Sequence, residues 1–195
     1  MSVFRLCLLL AIGLGLQAQD KATATVAAKP VPRTELKASV APGAALKFDF
    51  PELTVDRKGA LAACHLKLPA DYDAAKKYPL VVWLGGGEGG NQPSGSFLPA
   101  GDFILVGLPY PRGANNPRQA SMVGDYGKVW AYHRFMLEEI AKTVPNIDRS
   151  RSIIAGFSNG GHAIDGMLRL SAKPRLTDHF GVFIFADGGG TGYTS

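Results

Sequence analysis

Four short, largely apolar runs stand out along the chain, at residues 80–84, 103–108, 152–157 and 181–186. They are rich in β-branched and aromatic side chains and are bounded by Gly, Pro or polar clusters. That pattern predicts strands buried on both faces. Upstream, Leu46, Phe48 and Phe50 alternate with Lys47 and Asp49, the period of a half-buried strand, and a second short strand is expected over about residues 63–68. Trp130, His133, Leu137, Ile140 and Val144 recur at helical spacing before Pro145, which predicts a helix over 129–144. Another is expected from Asn159 to about Ala172, with Ile164, Met167, Leu168 and Leu170 facing inward. Parallel neighbours need such crossovers, so the order points to an α/β fold with a mainly parallel sheet. In such sheets chemistry gathers at the carboxyl ends of the strands. Here those ends are the loop at Gly85, Pro109, Ser158 and Asp187.

The remainder of the chain changes this picture little. Arg5, the apolar stretch from Leu6 to Leu16 and the small Ala18 read as an export signal over 1–19, too short to span a bilayer comfortably. Export implies a secreted or periplasmic protein with no stable membrane span after cleavage. Residues 20–45 carry Ala, Lys, Thr, Val and Pro without a period and read as a flexible linker, with the folded domain at 46–195. The 195 residues suffice for one such domain. The net charge of +5 is spread thinly, without the basic, aromatic-interleaved surface that nucleic acid needs. Past the leader the lone cysteine is Cys64, in an apolar strand context that suits a small core residue.

The candidate chemistry lies at Gly156-Phe157-Ser158-Asn159-Gly160. A nucleophile on a sharp strand-to-helix turn needs tiny residues two positions away on each side, because the chain doubles back on itself there. The run follows an apolar strand and opens a helix, the context the motif requires. Ser158 is thus the expected nucleophile, against the plainer reading of a serine that caps a helix. Acyl transfer also needs N–H donors for the negative charge that develops on the carbonyl oxygen. The Asn159 amide is one candidate, and Gly86 or Gly87 of Gly85-Gly86-Gly87 is the other. The loop continues Glu88-Gly89-Gly90-Asn91 and lacks the Gly-Lys-Ser/Thr ending of a phosphate cradle.

The segments Leu68-Pro69-Ala70-Asp71-Tyr72-Asp73, Lys77-Tyr78-Pro79-Leu80 through Glu88, and Asn146-Ile147-Asp148 through Gly161 resemble secreted α/β-hydrolase esterases of the polyhydroxybutyrate-depolymerase-like and feruloyl-esterase-like kind. The resemblance runs from about Leu66 to Asp187. It implies hydrolysis of small or polymeric esters through an acyl-enzyme, with no metal or organic cofactor. The chain departs from the family in having Leu84 or Gly85 where a histidine usually precedes the oxyanion glycines. The family's acid, which usually follows a further strand, and its final catalytic histidine also have no counterpart before Ser195. The sheet is therefore expected to lack its last strands, and the chain as given to turn over esters poorly. His65, His133, His162 and His179 each read as packed or surface imidazoles. Asp187, at the end of the strand after the nucleophile helix, is a candidate triad acid or else a turn residue. Glu88, Asn91, Tyr110 and Arg112 share the same edge, as pocket-shaping groups or as exposed loop polarity. A peptidase of the same fold and a non-catalytic binding module remain alternatives.

Overall fold

The computed structural model describes residues 33–54, 61–87, 89–99, 101–111 and 125–188. The leader, Glu88, Arg112 and the glycines after Gly188 lie outside them. The described chain runs α1 (Arg33–Ala38), β1 (Ala45–Thr54), β2 (Leu61–Lys67), β3 (Leu80–Leu84), β4 (Ile104–Gly107), α2 (Tyr126–Thr143), β5 (Ile153–Phe157), α3 (Asn159–Leu168) and β6 (Val182–Ala186). The six strands form one sheet in the order β1-β2-β4-β3-β5-β6. β2 is antiparallel to β1 and β4, while β4, β3, β5 and β6 run parallel. The expected α/β class and mainly parallel sheet are both present.

Register explains the core. Leu46, Leu66, Val106, Val82, Ile154 and Phe183 form a single row across all six strands. Paired residues point to one face, so this row faces the helices. Val129, Met136, Leu137 and Ile140 of α2 pack there, with Ala163, Ile164 and Met167 of α3. The next row carries Lys47, His65, Gly107, Trp83, Ala155 and Ile184 on the opposite face. That face is polar over β1 and β2 and apolar from β3 to β6. Trp83 meets Phe97 there, with ring centroids 5.3 Å apart.

Local signals set the helix ends. Asp125 caps α2, its carboxylate accepting from the Lys128 amide at 2.9 Å, which satisfies a donor that the first turn leaves orphaned. Trp130 is held by an indole N–H bond of 2.7 Å to the carbonyl of Pro174. Cys64 is fully buried against the helices, and burial pushes its thiol pKa far up, leaving it an inert core residue as expected.

Three expectations need correction. Regular structure starts before residue 46: α1 lies inside the stretch read as linker and buries Leu36 in the core. Six residues with one anchoring leucine are too few to show a period. α3 stops at Leu168 instead of near Ala172, and Leu170 packs on the core from the turn that follows. β6 is not buried on both faces. It is the last described strand of the sheet, and Val182 and Phe185 are 43% and 42% exposed. Its apolar composition matches an interior strand, but among the described residues one of its edges has no partner strand.

Candidate active site

At the carboxyl end of β5 the chain turns sharply into α3, and Ser158 stands on the corner with φ +50° and ψ −114°. A non-glycine residue pays a steric cost in that region. The surroundings enforce it. A Cβ on Gly156 would collide with the backbone of Gly160 and Gly161, and one on Gly160 would collide with the carbonyl of Leu84 in β3. Both glycines are needed for close approach, as the motif implied. The Ser158 amide donates to the Ala186 carbonyl at 3.0 Å, and its own carbonyl accepts from the His162 amide at 3.2 Å. The corner is thus tied to β6 on one side and to α3 on the other. Its side chain makes no capping bond to the helix, so the plain N-cap role does not apply.

The loop after β3 is folded against this corner. A Cβ on Gly86 would lie 2.8 Å from the Phe157 ring and 3.2 Å from Cβ of Ser158, so only a glycine fits so close to the serine. A turn closes with the Gly89 amide donating to the Gly86 carbonyl at 2.9 Å. The Asn159 side chain bridges the two segments, its Nδ2 donating to the Gly87 carbonyl at 2.9 Å. Asn159 is the first residue of α3, and an amide in that position has no carbonyl behind it in the helix. Ser158, Asn159, Gly86 and Gly87 are therefore brought together at one edge of the sheet.

Beneath the loop lies a residue whose burial sequence reasoning missed. Tyr110 is 2% exposed, where a place on the exposed loop edge was expected. Its hydroxyl donates to the Gly85 carbonyl at 2.8 Å, and burial raises its pKa. Asn91 is likewise structural, its side chain donating to the carbonyl of Ala63 at 3.1 Å. The signal for Tyr110 was its place at the end of a buried strand, held between Pro109 and Pro111.

Asp187 follows β6 directly and also has positive φ, +53°. It is exposed, and the next residue, Gly188, packs so tightly on the Ser158 carbonyl that no Cβ fits there. The carboxylate therefore stands on the same edge as Ser158. The histidines are spread out. His65 lies in β2, beside Gly107 of β4. His133 is buried in α2, its Nε2 against the Pro109 carbonyl at 2.8 Å. A carbonyl only accepts, so that nitrogen carries the proton. Burial pushes the His133 pKa down to about 4. His162 sits one turn into α3. His179 packs edge-on against Trp130, at the end of the sheet where β6 begins and away from Ser158. Among the described residues, His65, His133 and His179 make no hydrogen bond to the Ser158 hydroxyl. A cleft of about 350 Å³ lined by Lys67, Asp71, Asp102 and Leu105 lies at the amino end of β4 and contains none of these site residues.

No protein-family model matches the chain, and no curated protein matches it in sequence. Solved structures do match in shape. The acylaminoacyl peptidase of Pyrococcus horikoshii superposes with a TM-score of 0.54 at 17% identity, over 77% of this chain and 24% of that one. The AtxE2 isopeptidase gives 0.48 at 16%, over 73% and 23%. Esterase 2 of Thermogutta terrifontis, phosphorylated by paraoxon, gives 0.47 at 13%, over 70% and 56%. The chain thus spans about a quarter of the two peptidases and a little over half of the esterase. At these identities the likeness concerns fold alone, a mainly parallel α/β sheet shared with the acylaminoacyl peptidase.

Proposed function

We propose that this chain is the nucleophile-bearing part of a serine hydrolase that cleaves carboxylic esters through an acyl-enzyme, with Ser158 as nucleophile and slow turnover expected of the chain as given. One observation carries the reading: a serine held at φ +50° on a strand-to-helix corner, with Gly86 of a second glycine loop packed against its Cβ. Strain of this kind persists only where the surrounding structure over-determines it, and it clusters at functional sites.

In the proposed reaction the Ser158 Oγ attacks the ester carbonyl carbon as its proton passes to a general base. The carbonyl oxygen gains the negative charge, and the amides of Asn159 and of Gly86 or Gly87 donate to it. The start of α3 adds the positive end of its dipole. Collapse expels the alcohol, which takes up a proton. Water then cleaves the acyl-enzyme, releasing the acid and restoring Ser158. Asp187 is the proposed triad acid, supported by its strained place beside the corner. Export to the periplasm or beyond, with small or polymeric esters as substrates, completes the reading.

A fluorophosphonate probe tests it. The 195-residue chain should be labelled at Ser158, with labelling abolished in Ser158→Ala; no labelling of the folded chain would sink the proposal. Matched ester and amide substrates separate esterase from peptidase, since one machinery serves both bonds.

A further inference from the structure

The two glycine segments of the site differ in how they are held. The corner at Ser158 is gripped by backbone on both sides. The loop at 85–90 contains no larger side chain that could anchor it from within, apart from Glu88, which lies outside the described residues. Its anchors come from elsewhere. Asn159 reaches in from α3, and Tyr110 rises from beneath.

The Tyr110 contact has a directional consequence. A peptide unit is planar and trans, so its N–H points opposite to its C=O. The Gly85 carbonyl and the Gly86 amide belong to one such unit. With the Tyr110 hydroxyl holding the Gly85 carbonyl at 2.8 Å on the buried side, the Gly86 N–H is turned the other way, toward the open side of the loop. The ring adds a second contact: a Cβ on Gly89 would run into the Cδ2–Cε2 edge of Tyr110, so the turn packs tightly against that edge. Tyr110 is itself braced. The His133 imidazole donates to the carbonyl of the preceding residue, Pro109, and lies 5.8 Å from the Tyr110 ring, centroid to centroid.

We propose that Tyr110 is a positioning residue for the oxyanion-binding loop, its hydroxyl fixing the Gly85–Gly86 peptide so that the Gly86 amide is presented to the developing charge. The inference rests on the hydrolase reading above. Tyr110 touches no reacting atom; it acts through the peptide it orients. It also selects between the two candidate glycines, since only the Gly86 amide shares a peptide unit with the clamped carbonyl.

The test is Tyr110→Phe in the full 195-residue chain, which removes the hydroxyl and keeps the ring. Two readouts are taken together: hydrogen exchange of the Gly89 amide, which is bonded within the loop, and the rate at which a fluorophosphonate probe labels Ser158. We expect Gly89 exchange to rise about tenfold, with amides of α3 unchanged, for loss of one buried hydrogen bond. Labelling should slow about tenfold, less than for outright removal of an oxyanion donor. Unchanged Gly89 exchange overturns the clamp. Faster exchange with an unchanged labelling rate leaves Tyr110 a merely structural residue and overturns the positioning role. If the parent chain is not labelled at Ser158, the hydrolase reading fails, and the proposed role of Tyr110 falls with it. That failure is read from the parent chain alone, so it is distinct from a failed clamp.

Discussion

β5 and β6 are adjacent five-residue strands of almost the same character, Ile153-Ile154-Ala155-Gly156-Phe157 and Val182-Phe183-Ile184-Phe185-Ala186, and each is followed directly by a non-glycine residue of positive φ. Their surroundings differ. β5 is paired on both edges, by β3 and β6, and buries Ile154, Ala155 and Gly156. Among the described residues β6 is paired only with β5, and it keeps every side chain at least partly accessible. Ser158 is clamped between α3 and Ala186, whereas Asp187 stands exposed. Composition makes a strand of either segment, but neighbours decide which one becomes a rigid platform for chemistry.

The sharpest way to break the contrast is to spoil the closed corner. Gly156→Val should cost about 3 kcal/mol or more, because the new Cβ meets main chain that cannot move aside. Urea unfolding would register it, and Ser158 labelling should vanish. Truncation of the two strands should then separate them. Ile154→Ala is expected to cost about 2–4 kcal/mol, and Val182→Ala less than about 1, since Val182 is already 43% exposed. Equal losses in denaturant titrations would mean that β6 is covered in solution.

The closed side also carries a titration. The folded chain holds His133 neutral down to about pH 4, whereas the unfolded chain protonates it near the ordinary value of about 6.5. Between those values the unfolded state binds more protons. Stability is therefore full above about pH 6.5 and drains as pH falls toward 4, by at most about 1.4 kcal/mol per pH unit. Unfolding curves at pH 7.5 and 5 should show the loss, and His133→Gln should flatten it. One last expected effect has the opposite sign. Ser158→Gly and Asp187→Gly each relieve a positive φ and should stabilise the fold by about 1 kcal/mol. The first must abolish labelling; the second should slow it if the carboxylate serves the triad. A thermal melt beside the probe assay checks both.

What could be read from the chain follows the range of the interaction. The β3 and β5 runs, the α2 stripe from Trp130 to Ile140 and the glycine spacing around Ser158 are local patterns, and each lands in its element. The exposure of β6 was not legible, because an apolar run records what a strand prefers to touch and not whether a partner lies beyond it. α1 was hidden by having only Leu36 to mark it. Tyr110 looked like a polar loop residue between two prolines, since its partner, the Gly85 carbonyl, is 25 positions away and is a backbone atom with no sequence signature.

The bond from Asn159 to the Gly87 carbonyl joins positions 72 residues apart, and β3 and β5 reach each other only after β4 and α2 have been threaded between them. Contacts of such sequence separation are slow to close, because loop entropy is spent before they are rewarded. On the proposed reading, a nascent or half-collapsed chain holds Ser158 as an ordinary hydroxyl, and its reactivity arrives only with that long-range pairing. Time-resolved probe labelling during refolding would then act as a clock for that step.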